Sequence, residues 1–170
     1  MPPRRPATAL ERAMRLLSMR AHTSCELRRK LLRAGFPHDE VDAAIAECEK
    51  RHYLDDRLFA EDCANLWLNR GHGAHSIRMK LLQKGISPEL ASAASDNSEE
   101  AESEAARRAI DGRMPSLLRE PDPRKRRAKA LRFLAARGFS GTALSAAMKQ
   151  LDAAEEAAGA PTDGAAPPVE

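Results

Sequence analysis

Ile77-Arg78-Met79-Lys80-Leu81-Leu82-Gln83-Lys84-Gly85-Ile86 reads as the last turns of an amphipathic helix that stops on a glycine. Ile77 and Leu81 lie four apart and share one face, while Lys80 and Lys84 lie four apart and share another. Gly85 supplies the left-handed residue that closes a helix without a Cβ penalty, and the apolar residue after it folds back onto the last turn. The same ending occurs at Arg33-Ala34-Gly35-Phe36 and Ala136-Arg137-Gly138-Phe139, with Leu31, Leu81 and Leu134 four residues before the three glycines. One such ending is commonplace. Three of them, about fifty residues apart, predict tandem helical units whose extended surface suits binding better than catalysis. The run Leu27, Leu31, Leu32 recurs as Ile77, Leu81, Leu82, whereas the third copy keeps only Leu131, Leu134 and Ala135, so its register stays open.

Working outward, the chain divides into a flexible N-terminus (1–6), three units (7–50, 51–96 and 97–152) and a tail (153–170). In the first unit Leu10, Met14 and Leu17 share a helical face, Thr23 and Glu26 form a capping-box pattern, and Val41, Ala44, Ile45 and Cys48 make a buried stripe after Pro37. In the second, Asp55 is placed to cap a helix whose apolar face is Phe59, Cys63, Leu66 and Trp67, the latter read as core. Arg70-Gly71-His72-Gly73 then interrupts the pattern, and Ser87-Pro88 opens the last helix of the unit. The third opens on a capping box at Asn97 and Glu100 and continues through Ala106, Ile110 and Met114. A connector carrying Pro115, Pro121 and Pro123 follows, then a basic helix ending at Gly138 and a last helix with Leu144, Ala147, Met148 and Leu151. Residues 153–170 have too few large apolar groups to fold and read as a disordered acidic tail. The expected class is all-α, three tandem three-helix repeats in an elongated, curved array.

Composition narrows the function. Charged residues make up 31% of the 170 and aromatics only 4%, so large cores and stacking platforms are few. No apolar run approaches the ~20 residues of a membrane span, and no signal-peptide pattern opens the chain, so the expectation is a cytoplasmic protein with no membrane partner. Three cysteines, Cys25, Cys48 and Cys63, with no C-x-x-C pair, argue against a disulfide framework or zinc site, and Cys48 and Cys63 fall on apolar helix faces as small buried hydrophobes. No phosphate loop, nucleophile elbow or helical His pair is present, so no catalytic residue, metal or cofactor is expected. Asp55-Asp56 is a helix start rather than a carboxylate pair, because adjacent side chains there diverge and acids complement the helix dipole.

The net charge of +3 conceals segregation. Residues 4–33 and 113–138 each carry nine Lys/Arg against two acids, while 38–62 carry nine acids against three bases and 96–104 five acids alone. Each block alone equally describes a solvated helix face; together they suggest a bipolar surface whose basic side could follow phosphates or an acidic protein. Arg70, Arg78, Lys80 and Lys84 in the second unit face only Glu89 as a nearby acid between 65 and 95. Arg29 and Arg33 repeat the four-residue spacing in the first unit, and Arg124, Lys125 and Arg127 crowd the third. Nothing identifies side chains for reading base edges.

Tyr53-Leu54-Asp55-Asp56-x-x-Phe59-Ala60, Arg70-Gly71-x-Gly73, Ile77-Arg78-x-x-Leu81 and Lys84-Gly85-Ile86, in that order, resemble the signature of the RecX family, bacterial regulators of the RecA recombinase. The resemblance is tightest over 51–90 and extends more loosely to about 150 residues. One departure is Ala74, where members commonly have proline. The resemblance implies a non-enzymatic, monomeric protein of three three-helix repeats that docks in the groove of the RecA–DNA filament. It would restrain RecA ATPase, strand exchange and co-protease activity, and so regulate recombinational repair and the SOS response. Tyr53, Asp55, Asp56, Phe59, Trp67, Gly71, Gly73, Ile77, Leu81, Gly85 and Ile86 would build the signature unit. The basic residues named above would meet RecA, with single- or double-stranded DNA as a secondary partner. The alternative is a helical protein that binds nucleic acid without sequence preference and without RecA.

Overall fold

A computed structural model describes residues 7–96 and 98–159, and all regular structure among them is helical. The elements are α1 (Ala9–Met19), α2 (Ser24–Arg33), α3 (His38–Lys50), α4 (Asp56–Asn69), α5 (Ala74–Gln83), α6 (Pro88–Ser95), α7 (Glu99–Asp111), α8 (Met114–Leu117), α9 (Pro123–Ala136) and α10 (Gly141–Gly159). They pack in threes: α1 to α3, α4 to α6, and α7 with α9 and α10, with the one-turn α8 against α9.

Local chemistry sets the helix starts. Asp55 accepts from the Arg57 and Leu58 amides, and Ser87 accepts from Leu90 just before Pro88 at the first helical position. The complete capping box sits at Thr8 and Glu11. At Thr23 only half of the expected box forms, because Glu26 turns its carboxylate to Arg20, His22 and Lys84. Ser98 caps α7, accepting from Ala101; the expected cap Asn97 lies outside the described residues. The proline connector carries α8, whose Leu117 is buried. α10 runs to Gly159, so 153–159 are helical where a disordered tail was expected, and 160–170, like 1–6, lie outside the described residues.

All three glycine endings form. Gly35, Gly85 and Gly138 have φ of 90°, 80° and 83°. The amides of Phe36, Ile86 and Phe139 donate back to the carbonyls of Leu31, Leu81 and Leu134, whose side chains are fully buried. The third copy's register closes on Ala130, which with Leu134 repeats the buried pairs Leu27/Leu31 and Ile77/Leu81. Leu131 points outward. In α1 and α4 the buried face is set by small residues, Ala9 and Ala13 in one and Ala60, Ala64 and Leu68 in the other. Met14 and Leu66 are exposed and Phe59, Cys63 and Trp67 only half-buried, against the expectation that they form the core face. Alanines let neighbouring helices approach closely, which a reading weighted towards large residues overlooks.

The glycine ends are also the joints between units. α5 ends against the start of α2, and α9 ends against the start of α5. The Thr23 hydroxyl donates to the Lys84 carbonyl at 2.8 Å, and at the next joint the Gly73 amide donates to the Arg137 carbonyl at 2.8 Å. A Cβ on Gly85 would stand 2.5 Å from Cys25 Sγ, and one on Gly138 2.7 Å from Ser76 Cβ. Each joint has a second tie, from the first amide of the upstream helix to an acid opening the next unit: Ser24 to Asp56 at 2.8 Å and Ala74 to Glu102 at 2.9 Å. Each has a third, from the cation preceding the glycine: Lys84 to Glu26 at 3.1 Å, and Arg137 to the carbonyls of Arg70 and Gly71 at 2.8 and 3.0 Å. Helix ends meeting head to tail also align their dipoles favourably. Gly35, in the first unit, lies at the open end of this stack, where an added Cβ would meet nothing within 4 Å.

Candidate functional site

Four basic side chains of the second and third units lie on aromatic rings at the rim of the core. Lys80 Nζ sits 5.3 Å from the Trp67 ring centre and Lys84 Nζ 5.6 Å from that of Phe59. Arg137 and Arg113 both pack on Phe133, at 4.9 and 5.0 Å. Lys80 on α5 and Lys84, which caps its C-terminus, each lie over a ring carried by α4, so these lysines cover core rims rather than stand on a free face. Lys84 is further bound to Glu26, which is 8% exposed and also accepts from Arg20 at 3.0 Å and meets His22 at 3.2 Å. Burial pushes Glu26 up, but hydrogen bonds from His22, Lys84 and Arg20 outweigh it and hold its carboxyl down at about 2. Lys84 is therefore a joint residue.

Around the second joint the balance differs. Lys80 Nζ lies 2.8 and 3.1 Å from the two ring nitrogens of His72, and His72 Nδ1 lies 3.3 Å from the Ser76 hydroxyl. Burial first, and then the neighbouring Lys80, Arg137 and Arg70 charges, push His72 below its ordinary value. Burial, followed by Arg137 and Arg70, does the same to Lys80. Among the described residues none of these three cations forms an ion pair. Four groups that can carry positive charge thus share one place, and the carboxylate of this joint, Glu102, is engaged by the Ala74 amide rather than by any of them.

The remaining basic candidates separate in the same way. Arg29, Arg33, Arg78, Arg124 and Lys125 are exposed and make no ion pair among the described residues, whereas Arg127 pairs with Asp152 at 2.5 Å. Arg29 and Arg33 do not occupy the places of Lys80 and Lys84: with Gly35 set on Gly85, those places fall to Lys30 and Ala34. The one-residue offset turns the two faces apart by about 100°. Of the signature residues, Ile77, Leu81 and Ile86 are buried, Asp55 caps α4, Asp56 binds Ser24, Gly71 has φ 73°, and Gly73 starts α5 beneath Gly138. Tyr53, expected to help build the unit, is 52% exposed and lines a shallow groove with Met14, Leu17 and Ser18. His72 and Arg137 were not singled out from sequence, although Arg137 precedes its glycine as Lys84 does.

Residues 9–48, 55–94 and 100–148 match, in order, the first, second and third three-helix domains of RecX. The chain belongs to the RecX family. It is 36% identical over 152 residues to the regulatory protein RecX of Serratia proteamaculans (strain 568), covering 76% of this chain and 89% of the relative. It is 33% identical over 134 residues to that of Chlorobaculum tepidum, covering 78% and 81%. The crystal structure of RecX from Lactobacillus salivarius superposes with a TM-score of 0.77 at 20% identity, over 85% of this chain and 95% of that one, and shares the fold. No helix among the described residues is long and apolar enough to cross a membrane, and no group of His, Cys, Asp or Glu among them could hold a metal ion.

Proposed function

We propose that this chain acts as a monomer that binds the RecA–DNA filament and restrains RecA ATPase, strand exchange and co-protease activity, thereby regulating recombinational repair and the SOS response. Its units, 7–50, 51–96 and 97–152, form the docking array, working in the cytoplasm without catalysis of their own. Membership of a family whose relatives are named regulatory proteins supports this reading. The observation that carries it is the unpaired basic cluster at the second joint, held on a jointed scaffold able to span neighbouring protomers. Arg70, Lys80 and Arg137 are its centre, the exposed Arg29, Arg33, Arg78, Arg124 and Lys125 add outlying contacts to the filament, and Lys84 and Arg127 serve it through internal ion pairs.

The test adds the full chain, substoichiometric to RecA, to RecA assembled on single-stranded DNA. ATP hydrolysis and strand-exchange yield should both fall; unchanged values would remove the proposal. Tight DNA binding with no effect on RecA would instead favour a general nucleic-acid binder.

A further inference from the structure

We infer that the second joint is a proton-linked phosphodiester site, in which Arg70, Lys80 and Arg137 hold the backbone of a nucleic acid and His72 gains a proton as it binds. This rests on the reading that the basic side of units two and three is the binding face, and goes beyond it in assigning the phosphate contact to Arg70, Lys80 and Arg137 and in linking it to a proton on His72. Three features carry it. Arg137 is fixed in place by the Arg70 and Gly71 carbonyls, which accept from one of its nitrogens, so its charge is preorganised. Lys80 lies between the Trp67 ring and His72, close to Arg70 and Arg137, with no ion-pair partner among the described residues. The Trp67 and Phe133 faces are occupied by Lys80, Arg113 and Arg137, which leaves those faces covered where bases would stack. Successive phosphates of a strand supply repeated charge to such a cluster, whereas one protein carboxylate neutralises a single member; contact through phosphates alone carries no base preference.

The groups around His72 set the sign of the proton linkage: Lys80 from α5, Arg137 from the end of α9 and Arg70 from the end of α4 are cationic, the Ser76 hydroxyl is neutral, and Glu102 from α7, the acid of this joint, is engaged by the Ala74 amide. Together with burial they disfavour protonation of the imidazole. An anion at the site offsets that repulsion, so binding takes up a proton and affinity rises as pH falls.

The experiment uses the full chain without RecA and measures fluorescence anisotropy of a labelled single-stranded oligonucleotide across salt and pH. The Arg70→Gln/Lys80→Met pair, which keeps an apolar stem on Trp67, should weaken binding about tenfold and lower the slope of log affinity against log salt by about one. Arg12→Gln/Arg15→Gln on α1 makes the same charge change away from the joint and should have little effect; an equal loss would reduce the site to net charge and overturn it. Arg70→Gln alone, at an exposed position, gives the same reading if the double variant is unstable. Wild-type affinity should rise between about pH 7.5 and 5.5, and His72→Asn should abolish that rise; an unchanged response in the variant removes the proton linkage. Assaying the same variants with RecA separates the two readings. Lost DNA affinity with intact RecA inhibition keeps the phosphodiester site and removes it from the filament contact. Intact DNA affinity with lost inhibition overturns the phosphodiester assignment in favour of acidic groups on protein.

Discussion

Single residues in this chain are governed by whether a charge has a partner. Glu26 is buried and takes three donors, and its Gln variant keeps the shape but discards the charge that Lys84 and Arg20 answer. Because those partners reach solvent, Glu26→Gln should cost about 2 kcal/mol at neutral pH, below the loss for a fully buried pair. Its folded pKa of about 2 lies below the ordinary 4.5, so the stabilisation is complete above about pH 4.5 and fades as pH falls towards 2. Urea midpoints of wild type and variant should therefore converge over that interval; a gap that persists at pH 2 would show that packing, not charge, is lost. None of this was legible beforehand. The Thr23 to Glu26 spacing correctly placed the cap, but one of the carboxylate's three partners, Lys84, is 58 residues away, and local spacing carries no information about it.

At the level of elements, the glycine endings were legible because every interaction that makes them lies within six residues: a positive φ, a returning amide and a buried leucine. Their second role was not, because Cys25 and Ser76 meet Gly85 and Gly138 only after the units stack. The two roles separate experimentally. Gly35→Ala adds only the left-handed penalty of about 1 to 2 kcal/mol, since nothing lies near its Cβ. Gly85→Ala adds a collision with an exposed cysteine side chain, whereas Gly138→Ala meets the Ser76 backbone, which cannot turn aside. Thermal unfolding should rank the losses Gly35 below Gly85 below Gly138, and Cys25→Gly should rescue Gly85→Ala alone. Equal losses would mean the glycines serve only to end their helices. Leu81→Ala, at a fully buried site in the same element, should cost about 3 kcal/mol. The α4 face was misread for a related reason: Phe59 and Trp67 drew the large-residue pattern, but Ala60 and Ala64 take the interior and leave the rings for Lys84 and Lys80 to cover.

Across the whole molecule the two joints are alike in hydrogen bonding and unlike in what lies behind them. The described buried residues of the second and third units form one cluster, from Ala60 to Leu151, whereas those of the first unit form another, from Ala9 to Cys48, completed by Leu54 from the start of the second unit. The first unit is therefore held to the rest by polar ties at Thr23, Ser24 and Glu26 and by the single apolar side chain of Leu54, while the second and third share a continuous apolar core. The stack also ends with like charges, Arg29 and Arg33 beside the open end of α2 and Arg124 and Lys125 at the start of α9, which opposes head-to-tail growth into longer arrays. Acid should act first on the polar joint. His22, buried and held below its ordinary 6.5 chiefly by burial, stabilises the fold as a neutral group, and that contribution is lost as pH falls below 6.5 through its folded value; the Glu26 contribution follows below 4.5. Hydrogen exchange followed from pH 7 to pH 4, corrected for intrinsic rates, should show α1 to α3 losing amide protection while α4 to α10 retain it. In the His22→Asn variant, which has no imidazole to charge, the part of that loss between pH 6.5 and 5 should disappear. Simultaneous loss across all ten helices would instead mean that the polar joint couples the first unit to the others as firmly as the shared core couples the second to the third.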